Sequence, residues 1–121
     1  MRLILFRGKK ADGEWVYGDL IKYLEPGRKY GIWTESDGII IVIPKTIGQF
    51  TGLTDKNGVK IFEGDVCKDR YGKNGAVEYF NDFGGFIVKY KLPDSTLHIQ
   101  LDQGRNKFEA IGNIHDNPGL L

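Results

Sequence analysis

At 121 residues the chain has the size of one ordinary domain, and its 40% hydrophobic and 12% aromatic content excludes the disordered and fibrous classes. The net charge is +1, with eight basic and six acidic residues up to Phe50 and nine and ten after it, so neither half shows the clustered basic composition of a typical nucleic-acid binder. The single cysteine, Cys67, excludes an internal disulfide and fits a reducing compartment.

The apolar runs are short. Leu3-Ile4-Leu5-Phe6 ends at Arg7, below the length of a signal-peptide core, and Gly38 to Pro44 falls far short of the roughly 20 residues of a spanning helix. The expectation is an intracellular protein that does not enter a membrane.

Short runs of β-branched and aromatic residues bounded by Gly, Asp, Asn or Pro recur along the whole chain, which is a strand signature. Arg2-Leu3-Ile4-Leu5-Phe6-Arg7 opens the first strand, and Lys9-Lys10-Ala11-Asp12-Gly13 turns it into Glu14 to Ile21. In that second run Trp15, Tyr17 and Asp19 share one face, and Val16, Gly18 and Leu20 the other. A turn is expected at Glu25-Pro26-Gly27. Lys29 to Thr34 and Ile39 to Ile43 then pair as a hairpin across Glu35-Ser36-Asp37-Gly38. Because Ile39 to Ile43 is apolar throughout, burial on both faces is the first expectation and a subunit interface the second.

Thr46 to Asp65 reads as a structural junction. Asp55-Lys56-Asn57-Gly58 suits a type I hairpin turn, with Asp at the first position and Gly at the left-handed one. Glu63-Gly64-Asp65 would put two carboxylates on one side of an extended strand, which raises general acid/base or metal chemistry. No third ligand or activated nucleophile lies nearby in sequence, so a turn launching the next strand is the preferred reading. Calcium fits poorly: with Gly58 at the sixth loop position, Leu53 occupies the first and Gly64 the place of the bidentate glutamate.

Strands resume at Asp65 to Arg70, Gly75 to Phe80, Gly85 to Lys91, Leu97 to Leu101 and Lys107 to Ile111. Asp82-Phe83-Gly84 reads as a hairpin turn, since no kinase catalytic loop accompanies it. Cys67 is expected to be a buried small hydrophobe, His98 to lie on an outer strand face, and His115 in a polar tail. Two histidines and one cysteine do not make a four-ligand zinc site within one chain, and no nucleophile elbow, phosphate loop or dinucleotide fingerprint occurs. Catalytic, metal and cofactor residues are therefore expected to be none. The architecture expected is mainly β with little helix: an amino-terminal antiparallel sheet of about four strands over 1–48, and a carboxy-terminal SH3-like small barrel of about five over 49–121, the two possibly sharing one core.

Thr46-Ile47-Gly48-Gln49-Phe50-Thr51-Gly52-Leu53, Asp55-Lys56-Asn57-Gly58, Ile61-Phe62-Glu63-Gly64-Asp65-Val66 and Ile111-Gly112-Asn113-Ile114-His115-Asp116-Asn117-Pro118, with an early Phe6-Arg7, resemble the YopX protein family of bacteriophages and prophages. The resemblance implies a β-rich fold and a chain encoded by a temperate phage or prophage, working in the cytoplasm of its bacterial host. It carries no catalytic residues over; His115 and Gly119 replace an aromatic and an acidic residue commoner in the family.

Three function classes follow. The first is a non-enzymatic accessory protein acting through a protein partner or self-association. The second is a nucleic-acid-binding small barrel using Tyr71, Lys73, Tyr79, Lys89 and Lys91. The third is an enzyme for a small molecule or carbohydrate using Glu63 and Asp65.

Overall fold

The computed structural model describes residues 3–22, 29–82, 84–102 and 107–121. The turn expected at Glu25-Pro26-Gly27 lies outside the described residues, as do Arg2 and Phe83. The chain divides into two compact units, Met1–Phe50 and Thr51–Leu121.

In the first unit, β1 (Phe6–Lys9), β2 (Trp15–Ile21), β3 (Tyr30–Thr34) and β4 (Gly38–Val42) form consecutive antiparallel pairs, and the start of β5 (Gly48–Thr54) pairs with the other edge of β1. The first strand begins and ends later than its apolar run suggests. The reason is the compact loop after it: Lys10 N–H donates to the Glu14 carbonyl and Gly13 N–H to that of Lys10, so pairing continues to Lys9 opposite Trp15. The sheet then curls. Ile43 N–H donates to the Lys9 carbonyl at 2.8 Å, and Lys9 N–H to Thr46 Oγ1 at 2.9 Å. This brings Val42 over β1, where a Cβ on Gly8 would stand 2.9 Å from the Val42 side chain. Ile32 and Val42 are the buried centre of the curl.

Ile39 to Ile43 departs from the expected double burial. Its register pairs Ile40 with Ile32 and Ile39 with Trp33, so Ile40 and Val42 turn inward while Ile39, Ile41 and Ile43 are exposed. The uniform apolar run is a one-sided strand whose outer face is also apolar.

The second unit contains the rest of β5, β6 (Lys60–Phe62) and a five-stranded antiparallel sheet of order β10-β9-β8-β7-β11. These last are β7 (Asp65–Lys68), β8 (Asn74–Phe80), β9 (Gly85–Lys91), β10 (Thr96–Gln100) and β11 (Glu109–Asn113). Among the described residues this sheet ends at β10 and β11 without closing, so the SH3-like small barrel expected from strand spacing is replaced by an open antiparallel sheet. Its register stacks Val77 with Val88, Tyr90 with Leu97, and Cys67 with Gly75, one side of the pleat, and that side packs with Ile61, Leu101 and Phe108 into the core. Gly75 is required by proximity: a Cβ there would meet Val88 Cγ1 at 2.5 Å. Helix is confined, among the described residues, to the 3-10 turns Pro44–Thr46 and Pro118–Leu120.

The junction is thus two strands with a loop between them. Its polar Gln49, Thr51 and Thr54 hide the strand signal, yet Thr51 is buried with its hydroxyl donating to the Ile61 carbonyl at 2.8 Å.

Candidate functional site

Glu63 and Gly64 form the turn between β6 and β7, Gly64 having φ 93°, a left-handed conformation that suits glycine. Asp65 is buried, and its Oδ2 accepts Phe62 N–H at 2.7 Å across the turn. Gly64 N–H donates to the Val77 carbonyl, and the Gly64 carbonyl accepts Ile114 N–H. The two carboxylates therefore do not project side by side from an extended strand, and neither lines the cavities described below. Asp65 serves the turn.

Asp55 is committed through both carboxylate oxygens. Its Oδ1 accepts the N–H groups of Asn57 at 2.8 Å and Val59 at 2.9 Å, while Oδ2 accepts Ala110 N–H at 3.0 Å. Burial raises its pKa, but those three donors and the Lys56 charge outweigh burial and hold the carboxyl below its ordinary value. With both oxygens occupied by backbone donors, the Asp55 loop is a structural element.

Asp69-Arg70-Tyr71-Gly72-Lys73 repeats that loop. Asp69 Oδ1 accepts Tyr71 N–H and Lys73 N–H, both at 2.9 Å, and Gly72 has the same φ of 83° as Gly58. The second oxygen differs: Asp69 Oδ2 accepts the Tyr90 hydroxyl at 3.1 Å. Burial, then the Asp69 charge, pushes the Tyr90 phenol above its ordinary pKa.

This second loop borders a cavity of about 230 Å³. Tyr90, Leu97, Ile99 and Phe108 supply its apolar lining. Arg70, Lys73 and Lys107 bring three cations to the same cavity. Lys73 Nζ lies 5.7 Å from the Tyr90 ring centroid, and the Arg70 guanidinium 5.3 Å from that of Tyr71. Tyr71 is 82% exposed.

Of the five residues expected to form a nucleic-acid face, only Tyr71 and Lys73 come together here. Tyr79 packs on Phe86 with ring centroids 5.4 Å apart, on the core side of the pleat. Lys89, with Lys91 two positions on, lies on the opposite side, and its Nζ is 3.6 Å from Glu78. Arg70, Tyr90 and Lys107 were missed because their approach depends on strand pairing; the Asp-x-x-Gly spacing shared by Asp55 and Asp69 is the signal in sequence that marks the loop.

Cys67 is fully buried, and burial, with the Asp65 and Asp55 charges adding to it, pushes its thiol up to about 12. His98 is exposed and sets its ring edge-on to Phe80 at 4.7 Å. His115 belongs to a folded tail: Asn113 Oδ1 accepts the N–H groups of His115 and Asp116, and Asn74 Nδ2 donates to the Leu120 carbonyl at 2.9 Å.

The first unit carries a different surface. Trp33 is 44% exposed, Ile39 50% and Ile41 46%, with Tyr17 and Ile43 also exposed. The strand register places Tyr17, Trp33, Ile39 and Ile41 on one side of the sheet. Beside β4 a groove of about 410 Å³ runs along Tyr30, Ile41, Val42, Ile43 and Pro44.

Antiparallel sheets, Asp-braced loops and a folded tail define a mainly β protein of two compact units. The chain belongs to the YopX protein family, whose signature matches residues 5–121. Among solved structures it is similar to protein EF1440 from Enterococcus faecalis, with 24% identity and a TM-score of 0.46, over 100% of this chain and 99% of that one. No curated protein matches the chain. No helix among the described residues is long and apolar enough to cross a membrane.

Proposed function

We propose that this chain is a non-enzymatic accessory protein of a phage or prophage, acting in the host cytoplasm by self-association through β4. The observation that carries the reading is the exposure of Trp33, Ile39 and Ile41 on one side of the first unit. β4 is also an end strand of its sheet among the described residues. Natural edge strands are blunted by charge, proline or a bulge, whereas Gly38 to Ile43 carries no charge and meets proline only at Pro44. A second copy is the occupant such an edge fits. Antiparallel pairing of β4 with β4 about a two-fold axis near Ile40 matches Ile39 of each copy with Ile41 of the other. The committed turn geometry of Asp65 supports the non-enzymatic part of the reading.

Light scattering across concentration tests it. The expected result is a dimer that dissociates on dilution and is abolished by Ile39→Lys with Ile41→Lys, the circular dichroism spectrum being retained. A wild-type chain that is monomeric at every concentration overturns self-association.

A further inference from the structure

We infer that the cavity beside the Asp69 loop binds single-stranded nucleic acid, taking one base at its apolar lining and the next against Tyr71. The site lies within the second unit and is independent of β4.

The cavity's size sets what enters. At about 230 Å³ it is smaller than the roughly 300–1,000 Å³ of sites that enclose a whole drug-sized ligand. One flat moiety fits, and the rest of the ligand must continue over the rim. Leu97 and Ile99, set beside the nearly buried Tyr90 and Phe108, make that lining apolar, which favours a flat ring over a charged group. Three cations line the same cavity with Asp69: Arg70 and Lys73 from the β7–β8 loop, and Lys107 from the segment preceding β11. A flat ring joined to an anion is the chemistry that this mixed lining selects.

Tyr71 extends this chemistry into a repeat. It is 82% exposed, borders the cavity, and has Arg70 over its ring. A second stacking plane outside the cavity, with cations close by, matches the base-phosphate-base order of a strand. Asp69 does not block the site as an open carboxylate would, because its oxygens accept Tyr71 N–H, Lys73 N–H and the Tyr90 hydroxyl. Duplex is excluded by the same geometry, since its bases are stacked on one another and cannot enter a cavity.

Fluorescence anisotropy with labelled oligothymidylate at low salt tests the inference on the full chain. Binding is expected, with Tyr71→Ala weakening it about fivefold to a hundredfold, the range for one lost base-aromatic stack. Lys107→Ala is expected to reduce the magnitude of the log-log salt slope by about 0.7, one phosphate contact on a single strand. Tyr71 and Lys107 are exposed, so both variants should keep the wild-type circular dichroism spectrum. No binding at low salt overturns the proposal, as does equal affinity for duplex DNA, or binding indifferent to Tyr71→Ala. Thymidine monophosphate competing as well as the oligonucleotide overturns the strand in favour of a free nucleotide.

Discussion

The carboxylate of Asp55 accepts the backbone N–H of Ala110 at 3.0 Å, joining the β5–β6 loop to a strand 55 positions further along the chain. Asp55→Ala leaves Ala110, Asn57 and Val59 N–H groups without this acceptor, an expected loss of about 1–3 kcal/mol. Urea denaturation at neutral pH measures it, and an unchanged midpoint would contradict the role.

The same residue gives a pH signature. Its folded pKa lies below the ordinary 3.8, so its ionisation stabilises the fold fully above the unfolded value and is lost as pH falls through the folded one. The stability gap between wild type and Asp55→Asn is therefore expected to be constant above about pH 5 and to shrink below pH 3.8, measured by thermal melts across an acid series.

Cys67 should be silent toward thiol reagents in the native state. It is fully buried, and with its pKa pushed up to about 12 almost no thiolate exists at pH 8. Labelling with a chromogenic disulfide is expected to need denaturant; rapid modification of native protein would overturn the burial.

Two glycines should fail for different reasons. Gly75→Ala drives a methyl into Val88 and Tyr90, an overpacking cost of about 1–3 kcal/mol. Gly58→Ala meets nothing within 4 Å but must hold φ near 83°, at about 1–2 kcal/mol. Both losses should appear in denaturation midpoints, and Gly58→Asn, which tolerates the left-handed region, should recover part of the second.

Asn113 is expected to hold the tail. Asn113→Ala removes the acceptor for His115 and Asp116 N–H and the donor to Asp116. Hydrogen exchange should accelerate at His115 and Asp116 while Val77 and Val88 stay protected. Equal acceleration at all four would mean that the residue supports the whole unit.

Strand periodicity made the mainly β architecture legible, because alternation along β2 and β10 is a local property of the chain. The Asp55 loop was legible for the same reason. What escaped is non-local. Ile39 to Ile43 has no polar residue to mark its outer face, so its one-sided burial emerges only from pairing with β3. β5 carries too many threonines and glycines to resemble a core strand, although Thr51 satisfies its hydroxyl on β6. The cavity gathers residues from the β7–β8 loop, β9, β10 and the segment before β11, and no spacing in sequence encodes that meeting.

The matched loops of Asp55 and Asp69 are braced alike at the backbone, yet one fastens to a strand amide and the other to a phenol at the edge of a cavity. The peptide that carries Tyr71 and Lys73 is thereby preorganised. A molecule bound there as proposed would meet a loop already set, so ordering it would add little entropic cost to association, and discrimination would fall to shape and charge instead of to folding around the guest.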